Sequence, residues 1–362
     1  MLLSDFNYHL PEERIAKFPP KKRGASRLLV LDRQTGHIKD SFYRNLDDFL
    51  HPGDVLILND TKVMQSRLFC NLPDGRKREL IILEKHGDEP QKVMYRGKLH
   101  PGDILTIENH NPSSNNLKTP NNREQEKLNI NAQKHNNINP QVTITEILGN
   151  GIATVSATTD LNSIAKQFGT VPLPPYLHRQ ASNNDIIRYQ TVWAKNTGSA
   201  AAPTASLNMT KPLLDSLRQK GVQIHYLTLH VGLGTFLPIR TDNIEEHKMH
   251  SEWYQIPIST QKAIISAKRQ QHRVVALGTT VARTLEYYAK TSQAQGEDDI
   301  FIYPGYRFQL VDALITNFHA PKSTVLMLAA AFAGWDNLKA SYQHAINHQY
   351  QFLSYGDSML IC

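Results

Sequence analysis

The residues with the most obvious chemistry in this 362-residue chain crowd into one stretch, HVGLGTFLPIRTDNIEEHKMHSEWYQIP, from His230 to Pro257. The stretch leaves an apolar run, VQIHYLTLHV, and turns through Gly232, Gly234 and Thr235. It carries His230, His247 and His250, with Glu246 and Glu252 close by. Imidazoles and carboxylates at this density suit either a metal ion or proton transfer. His247 and His250 have a spacing that could share zinc. The pattern is not H-E-x-x-H, however, and a third ligand would have to come from His230 or from the distant His319. Histidines acting as acid, base or hydrogen-bond donor are the better reading, and no metal is expected. The EEHK run reads as an exposed face, so His247 is expected to point to solvent.

Three strand exits share one design. HYLTLHV runs into Gly232-Leu233-Gly234-Thr235, RVVALG into Gly278-Thr279-Thr280 ahead of a helix with Arg283 and Glu286, and DALITNF into His319-Ala320-Pro321-Lys322-Ser323-Thr324. Ligands of α/β sheets bind at the carboxyl ends of strands, and helix N-termini offer free N–H groups to an anion. Each exit alone reads as a simple N-cap; three in series point to an anion site. A fourth candidate is AKNTGSAAAPTASLNMT, residues 194–210, whose small residues permit close backbone approach to a ligand. There is no GxGxxG fingerprint, no GxxxxGK[ST] loop and no G-x-S-x-G elbow, which disfavours nicotinamide, P-loop and serine-hydrolase chemistry.

These residues need a scaffold. After residue 155 strands and helices alternate, as in a mostly parallel or mixed sheet with both faces covered. Thr210 caps a helix that Gly221 ends. Near the N-terminus LPEERIAKF reads as a short helix with Pro11 in its first turn. Between about Gln65 and Thr154 the texture changes to short alternating runs (SRLFCNL, RELIILEKH, KVMYRGKL, DILTIEN, QVTITEIL, IATVSAT) separated by turn signals. The expected fold class is therefore α/β, with a mixed-sheet main domain and an inserted small β-barrel. Residues 1–65 and 155–362 are expected to form the α/β catalytic domain, and 66–154 the insert. Within the insert, 11 of the 32 residues from Asn109 to Pro140 are Asn. So few apolar groups cannot offset ordering entropy, and a flexible extension at about 109–140 is expected.

Composition narrows the class. Hydrophobic residues make up 40% and charged residues 20%, which fits a globular protein. No run of eighteen apolar residues suggests a membrane span, and MLLSDFNYHL does not read as a signal peptide. Two distant cysteines, Cys70 and Cys362, argue against a disulfide framework and for a cytoplasmic setting. With 40 Lys and Arg against 33 Asp and Glu, the formal charge is +7, a mild bias toward RNA. No segment reads as the dense basic run of a nucleic-acid-binding arm.

The motifs HVGLGTF with EEHKMHSE, ALGTTVARTLE, LITNFHAPKSTVLMLAAAFAG, NDTKV, RYQTVWA and YGDSMLI belong to a set of matches that runs from Asp5 to Ile361. Together they resemble the S-adenosylmethionine:tRNA ribosyltransferase-isomerase family of queuosine biosynthesis. The resemblance implies that the ribosyl part of S-adenosylmethionine, a co-substrate and not a bound cofactor, is moved to a 7-aminomethyl-7-deazaguanine at the tRNA wobble position. There it is isomerised to the epoxycyclopentanediol of epoxyqueuosine, and adenine and methionine leave. It also implies an α/β domain with an inserted barrel. Given that chemistry, His230 and His250 are expected as base or acid, with His319 the alternative, and His250 is expected to be needed for turnover. Thr279, Thr280 and Arg283 would hold a carboxylate or phosphate. Asp60 would orient a ribose hydroxyl or the amine, and Lys322 and Arg188 would meet RNA phosphates. Thr204, Gly232, Gly234, Thr235 and Asn317 complete the expected substrate-binding set. The partners expected are precursor-bearing tRNA and S-adenosylmethionine, with the protein a monomer.

One departure stands out. Where the family pattern reads AAPTAGLHFT, this chain has Ser206, Asn208 and Met209 in place of Gly, His and Phe. Asn cannot shuttle protons near neutral pH. The alternative is thus a catalytically impaired, tRNA-binding member of the same family. An RNA methyltransferase ranks behind both, for want of the glycine loop of that fold.

Overall fold

A computed structural model of the chain describes residues 1–83, 90–108, 139–232 and 239–362. The Asn-rich extension expected at 109–140 lies almost wholly outside these residues, as do Gly234 and Thr235. The strands run in chain order as β1 Arg27–Leu31, β2 Ile38–Phe42, β3 Val55–Asn59, β4 Thr61–Val63, β5 Arg67–Asn71, β6 Lys77–Ile82, β7 Lys92–Arg96, β8 Ile104–Ile107, β9 Gln141–Gly149, β10 Ile152–Ala157, β11 Asn196–Ser199, β12 Gln223–Leu229, β13 Glu252–Gln255, β14 Val274–Leu277, β15 Gln295–Asp298, β16 Ala313–Asn317 and β17 Ser358–Ile361. The helices are α1 Leu161–Phe168, α2 Asn183–Arg188, α3 Lys211–Gln219, α4 Ile258–Arg269, α5 Thr279–Thr291, α6 Thr324–Ala333 and α7 Trp335–Asn347.

The chain divides into two compact units, one of Met1–Val63, Pro174–Arg179 and Arg188–Cys362, the other of Met64–Leu173 and Gln180–Ile187. The first is built on a nine-stranded mixed sheet in the order β15-β13-β12-β3-β14-β16-β17-β1-β2. Its centre, β12, β3, β14 and β16, is parallel. β17 is antiparallel to β16 and parallel to β1. All five residues of β3 are buried, as expected of a strand covered on both faces. Its side chains alternate between two cores. Val55 and Ile57 join the apolar sides of α4, α5, α6 and α7, and Leu56 and Leu58 join Leu213, Leu214 and Leu217 of α3. Thr210 accepts a hydrogen bond from the Leu213 amide and so starts α3, as its sequence predicts.

The second unit holds a closed antiparallel barrel, β10-β7-β6-β5-β8-β9. Alternate side chains fill it: Leu68 and Cys70, Leu80 and Ile82, Leu105 and Ile107, Val142 and Ile144. Leu161, Ile164 and Ala165 of α1 pack on the same core, so this unit continues past β10 to Leu173. The mixed α/β class with a small barrel is thus present as read from the strand texture.

One local expectation differs. LPEERIAKF forms only a single 3-10 turn, Glu12–Arg14, because none of its three residues is buried and Ile15 leaves at once to bridge Phe352. The four-residue strands β13, β15 and β17 carry no alternation long enough to read. Among the described residues no helix is long and apolar enough to cross a membrane.

Candidate active site

In the first unit, a cavity of about 450 Å³ opens where two central strands end. Its walls are mostly apolar, with Val231, Ile239, Leu353 and Pro203 among them. Polar groups enter from the strand exits, the arrangement expected at the carboxyl edge of a parallel sheet.

The exit of β14 is tight. Gly278 takes φ +101°, a backbone region that side chains rarely adopt, and its amide donates to the Ile315 carbonyl at 2.8 Å. Gly278, and neither threonine, is the N-cap of α5, and no side chain caps it. Thr279 and Thr280 therefore face the cavity with their hydroxyls uncommitted, and the Thr280 hydroxyl is buried without a partner. This is where the simple N-cap reading fails. It holds at the exit of β16, where Ser323 caps α6 by accepting from the Leu326 amide at 3.3 Å.

The β16 exit supplies Asn317, His319 and Lys322. Thr204 donates to Asn317 Oδ1 at 2.9 Å, and Asn317 donates to the Asp357 carbonyl at 3.4 Å, so both line the cavity in fixed orientations. His319 sits 2.9 Å from the Thr316 hydroxyl through Nε2. Its amide donates to the Tyr342 hydroxyl at 2.9 Å, and its carbonyl accepts from the Tyr8 hydroxyl. Burial pushes its imidazole down to about 3, so the ring is neutral near pH 7. Lys322 is exposed at the rim with φ +58°, held there by its amide bond to the Phe6 carbonyl at 3.0 Å.

The other expected residues are elsewhere in the unit. His230 lies 2.8 Å from the Thr61 hydroxyl through Nδ1 and stacks on Trp253. Asp60 accepts from Asn196 Nδ2 at 3.1 Å and from the Thr228 hydroxyl at 2.6 Å. Neither lines the cavity. His250 is exposed and does not line the cavity either, although its neighbours Met249 and Glu252 line a small recess that shares Thr279 and Thr280 with it. His247 is not the solvent-facing group expected: it packs edge-on against Phe301, and burial, then His250, lowers its pKa.

Arg283 is engaged within the protein. Its Nη2 donates to Glu252 and its Nε to Asp298 at 3.2 Å, all three side chains being buried. Burial works against the guanidinium's charge, yet the two carboxylates hold its pKa above the usual value. Glu252 also accepts from the Gly232 amide at 2.7 Å, which anchors the exit of β12. A recess of about 30 Å³ beside this triad shares Thr279 and Thr280 with the main cavity. Arg188 spends Nη2 on the Pro20 carbonyl at 2.7 Å. Among the described residues no group of three His, Cys, Asp or Glu could hold a metal ion.

Sequence reasoning missed Tyr176, which lines the cavity and shares a hydrogen bond with Ser354, another lining residue. Burial pushes its phenol up to about 12, so it stays protonated. The signal was an aromatic between two prolines and a leucine in LPPYL.

A family model described as "Queuosine biosynthesis protein" matches residues 3–361. The chain belongs to the queuosine biosynthesis protein family. Among members of this family similar to it, the S-adenosylmethionine:tRNA ribosyltransferase-isomerase of Chlorobium chlorochromatii is 50% identical over 100% of both chains. The protein of that name from Trichlorobacter lovleyi is 40% identical, again over 100% of both. A solved structure, the S-adenosylmethionine tRNA ribosyltransferase of Thermotoga maritima, is similar with a TM-score of 0.52 and 30% identity, covering 99% of this chain and 100% of that one.

The family's departure loop can now be read in place. Ser206, Asn208 and Met209 are buried and none lines the cavity. Asn208 accepts from Ser26 Oγ at 2.8 Å and donates to the Gly356 carbonyl at 2.9 Å and to Ser358 Oγ at 3.1 Å. Met209 packs in the core beneath α3. These positions are structural in this member of the family, and nothing in them favours the impaired alternative.

Proposed function

We propose that the chain is an S-adenosylmethionine:tRNA ribosyltransferase-isomerase, which moves the ribosyl group of S-adenosylmethionine to 7-aminomethyl-7-deazaguanine at the tRNA wobble position. The observation that carries this is the end-to-end match to relatives of that name, at 40–50% identity over whole chains. Adenine and methionine are the expected by-products. S-adenosylmethionine is a co-substrate, and no resident cofactor or metal enters the scheme. The protein is proposed to act as a monomer in the cytoplasm. Catalysis is assigned to the α/β unit, Met1–Val63, Pro174–Arg179 and Arg188–Cys362, with the barrel that begins at Met64 an inserted domain that reaches past residue 154.

The cavity supports a division of labour. Its apolar walls suit the uncharged body of the co-substrate. The α5 N-terminus, with Thr279 and Thr280, suits the methionine carboxylate, since free amides and hydroxyls there favour an anion. Lys322 adds a cation at the rim for that carboxylate or an RNA phosphate. Thr204 and Asn317 are positioned to meet ribose hydroxyls. The reaction needs a proton taken from the ribose carbon beside sulfur and one lost from the aminomethyl group. Neutral His319, its pKa depressed by burial, suits a hydrogen-bonding role toward substrate better than that of a strong base. His230 and Asp60, beside the β12 exit, are assigned a second position around the substrate, and His250 is the weakest of the three histidine candidates.

The test is to incubate the purified chain with S-adenosylmethionine and precursor-bearing tRNA in the presence of a chelator, then assay free adenine and modified nucleoside. Both products are expected. Binding of tRNA without release of adenine would restore the impaired reading.

A further inference from the structure

Beside the cavity the surface carries an aromatic ring among cations. Between Arg14 and Arg27 the sequence has six Lys and Arg and no Asp or Glu. Within that run Phe18 is 66% exposed. An exposed phenylalanine alone needs no explanation. This one is organised. The Arg179 guanidinium lies over its ring, 4.3 Å from the centroid, and Arg179 Nε is tied to the Lys17 carbonyl at 2.7 Å. Pro19 and Pro20 follow directly and stiffen the chain that presents the ring. Lys21 and Lys22 are exposed and form no ion pair among the described residues. Behind them Arg23 donates to the carbonyls of Gln190 and Leu207, at 2.9 and 3.0 Å, and Arg188 to that of Pro20. These two guanidiniums are held by backbone alone, with no carboxylate between them, and burial and then Arg188 lower the pKa of Arg23. Glu12 lies beside the ledge in an exposed pair with Lys17 at 2.9 Å. Such a pair contributes little and exchanges readily.

The ledge is continuous with the cavity. Arg179 ends the segment whose Pro175 and Tyr176 wall it, and its guanidinium also faces the ring of Tyr355, next to the lining residue Ser354. A ring capped on one side by guanidinium, with cations around it, matches how proteins hold unpaired nucleotides: bases stack on aromatic and guanidinium planes while lysines meet phosphates. A membrane surface would call for several apolar groups, and an acidic peptide would not need the exposed ring.

We infer that the Phe18–Arg179 pair is a stacking platform for an unpaired RNA base, with Lys21 and Lys22 on the adjoining phosphates, holding the strand whose neighbouring nucleotide enters the cavity. This rests on the tRNA reading above and assigns that substrate's docking surface.

The experiment uses the whole chain and a fluorescein-labelled anticodon stem-loop bearing the precursor base. Anisotropy gives Kd across a salt series, and turnover gives KM for the RNA and for S-adenosylmethionine. Phe18→Ala should raise Kd and KM for the RNA by about tenfold, the effect of losing one stacked base. KM for S-adenosylmethionine should hold, and Phe18→Trp should restore RNA binding. The Lys21→Ala/Lys22→Ala double variant should flatten the salt dependence of log Kd by roughly 1.4, two phosphate contacts on a single strand. Phe18→Ala and the lysine variant both binding RNA as the wild type does would overturn the platform while leaving the tRNA function intact. A wild-type chain that neither binds nor modifies the RNA would overturn both.

Discussion

The ring of His230 lies nearly parallel to that of Trp253, with centroids 5.2 Å apart and planes 18° apart. The backbone of Gly198 in β11 also lies against the ring, where a Cβ would come within 2.7 Å of the imidazole. His230 is therefore clamped by an indole and a bare backbone, with its Nδ1 fixed by Thr61. Gly198→Ala should displace the ring, break the Thr61 contact and cost about 1–3 kcal/mol, the usual effect of overpacking. Urea unfolding measures the loss. A normal midpoint with an unmoved His230 resonance would show that the clamp is loose.

The triad around Arg283 makes a different prediction. Arg283→Ala leaves Glu252 and Asp298 buried without a cation, and removing one partner of a buried pair costs about 3–5 kcal/mol. The variant should therefore lose stability even with no substrate present. A fully stable Arg283→Ala protein with a raised KM would instead assign the guanidinium to the substrate.

His319 predicts a pH dependence. Its folded pKa of about 3 lies below the roughly 6.5 of a free imidazole. Between those values the unfolded chain binds the extra proton. The contribution of His319 is fully present above about pH 6.5 and is lost as pH falls toward 3, at up to roughly 1.4 kcal/mol per pH unit. His319→Asn should flatten that part of the stability curve. It should also reduce turnover more than His250→Ala does, since only His319 lines the cavity. Equal loss from both variants would contradict this ranking.

Lys322 combines a charge with a strained backbone. Its φ of +58° is unfavourable for a residue with a Cβ by roughly 1–2 kcal/mol. Lys322→Gly should thus raise the melting temperature, while Lys322→Ala should not. Both should weaken binding of S-adenosylmethionine or RNA by about fivefold to tenfold, through loss of a charged contact of about 1–1.5 kcal/mol. Titration calorimetry with each ligand separates the two targets.

Asn208 tests the departure loop. Asn208→Ala strands the Ser26 hydroxyl and the Gly356 carbonyl and should cost about 1–3 kcal/mol. That loss should show in unfolding, with KM for both substrates close to wild type.

Much of this was legible because the periodicities are long. VQIHYLTLHV, RVVALG and the helical runs after them identify their elements, and the six barrel strands alternate with clear turns between. Gly278 and the Ser323 cap marked two strand exits as ligand-facing. What escaped the sequence depends on distant partners. Nothing near Arg283 tells that Glu252 and Asp298, 31 and 15 residues away, will enclose it. Asn208 looked like a change in a ligand loop because its neighbours Ala202 to Thr204 do line the cavity. Its own side chain turns inward to the C-terminal strand. Nothing in KFPPKKR tells that the fold will lay Arg179 over Phe18.

The place of β17 has a consequence for biosynthesis. In the sheet, Leu28 of β1 pairs with Ser358, and β17 separates β1 from β16. The hairpin of β1 and β2 leaves the ribosome long before β17, yet its seat in the sheet is created only when residues 358–361 emerge. Until then one edge of β16 is open, and so is one edge of β1. Synthesis must therefore pass residue 361 before the sheet can close, which leaves apolar strand edges exposed on the nascent chain and makes them natural targets for chaperones during synthesis.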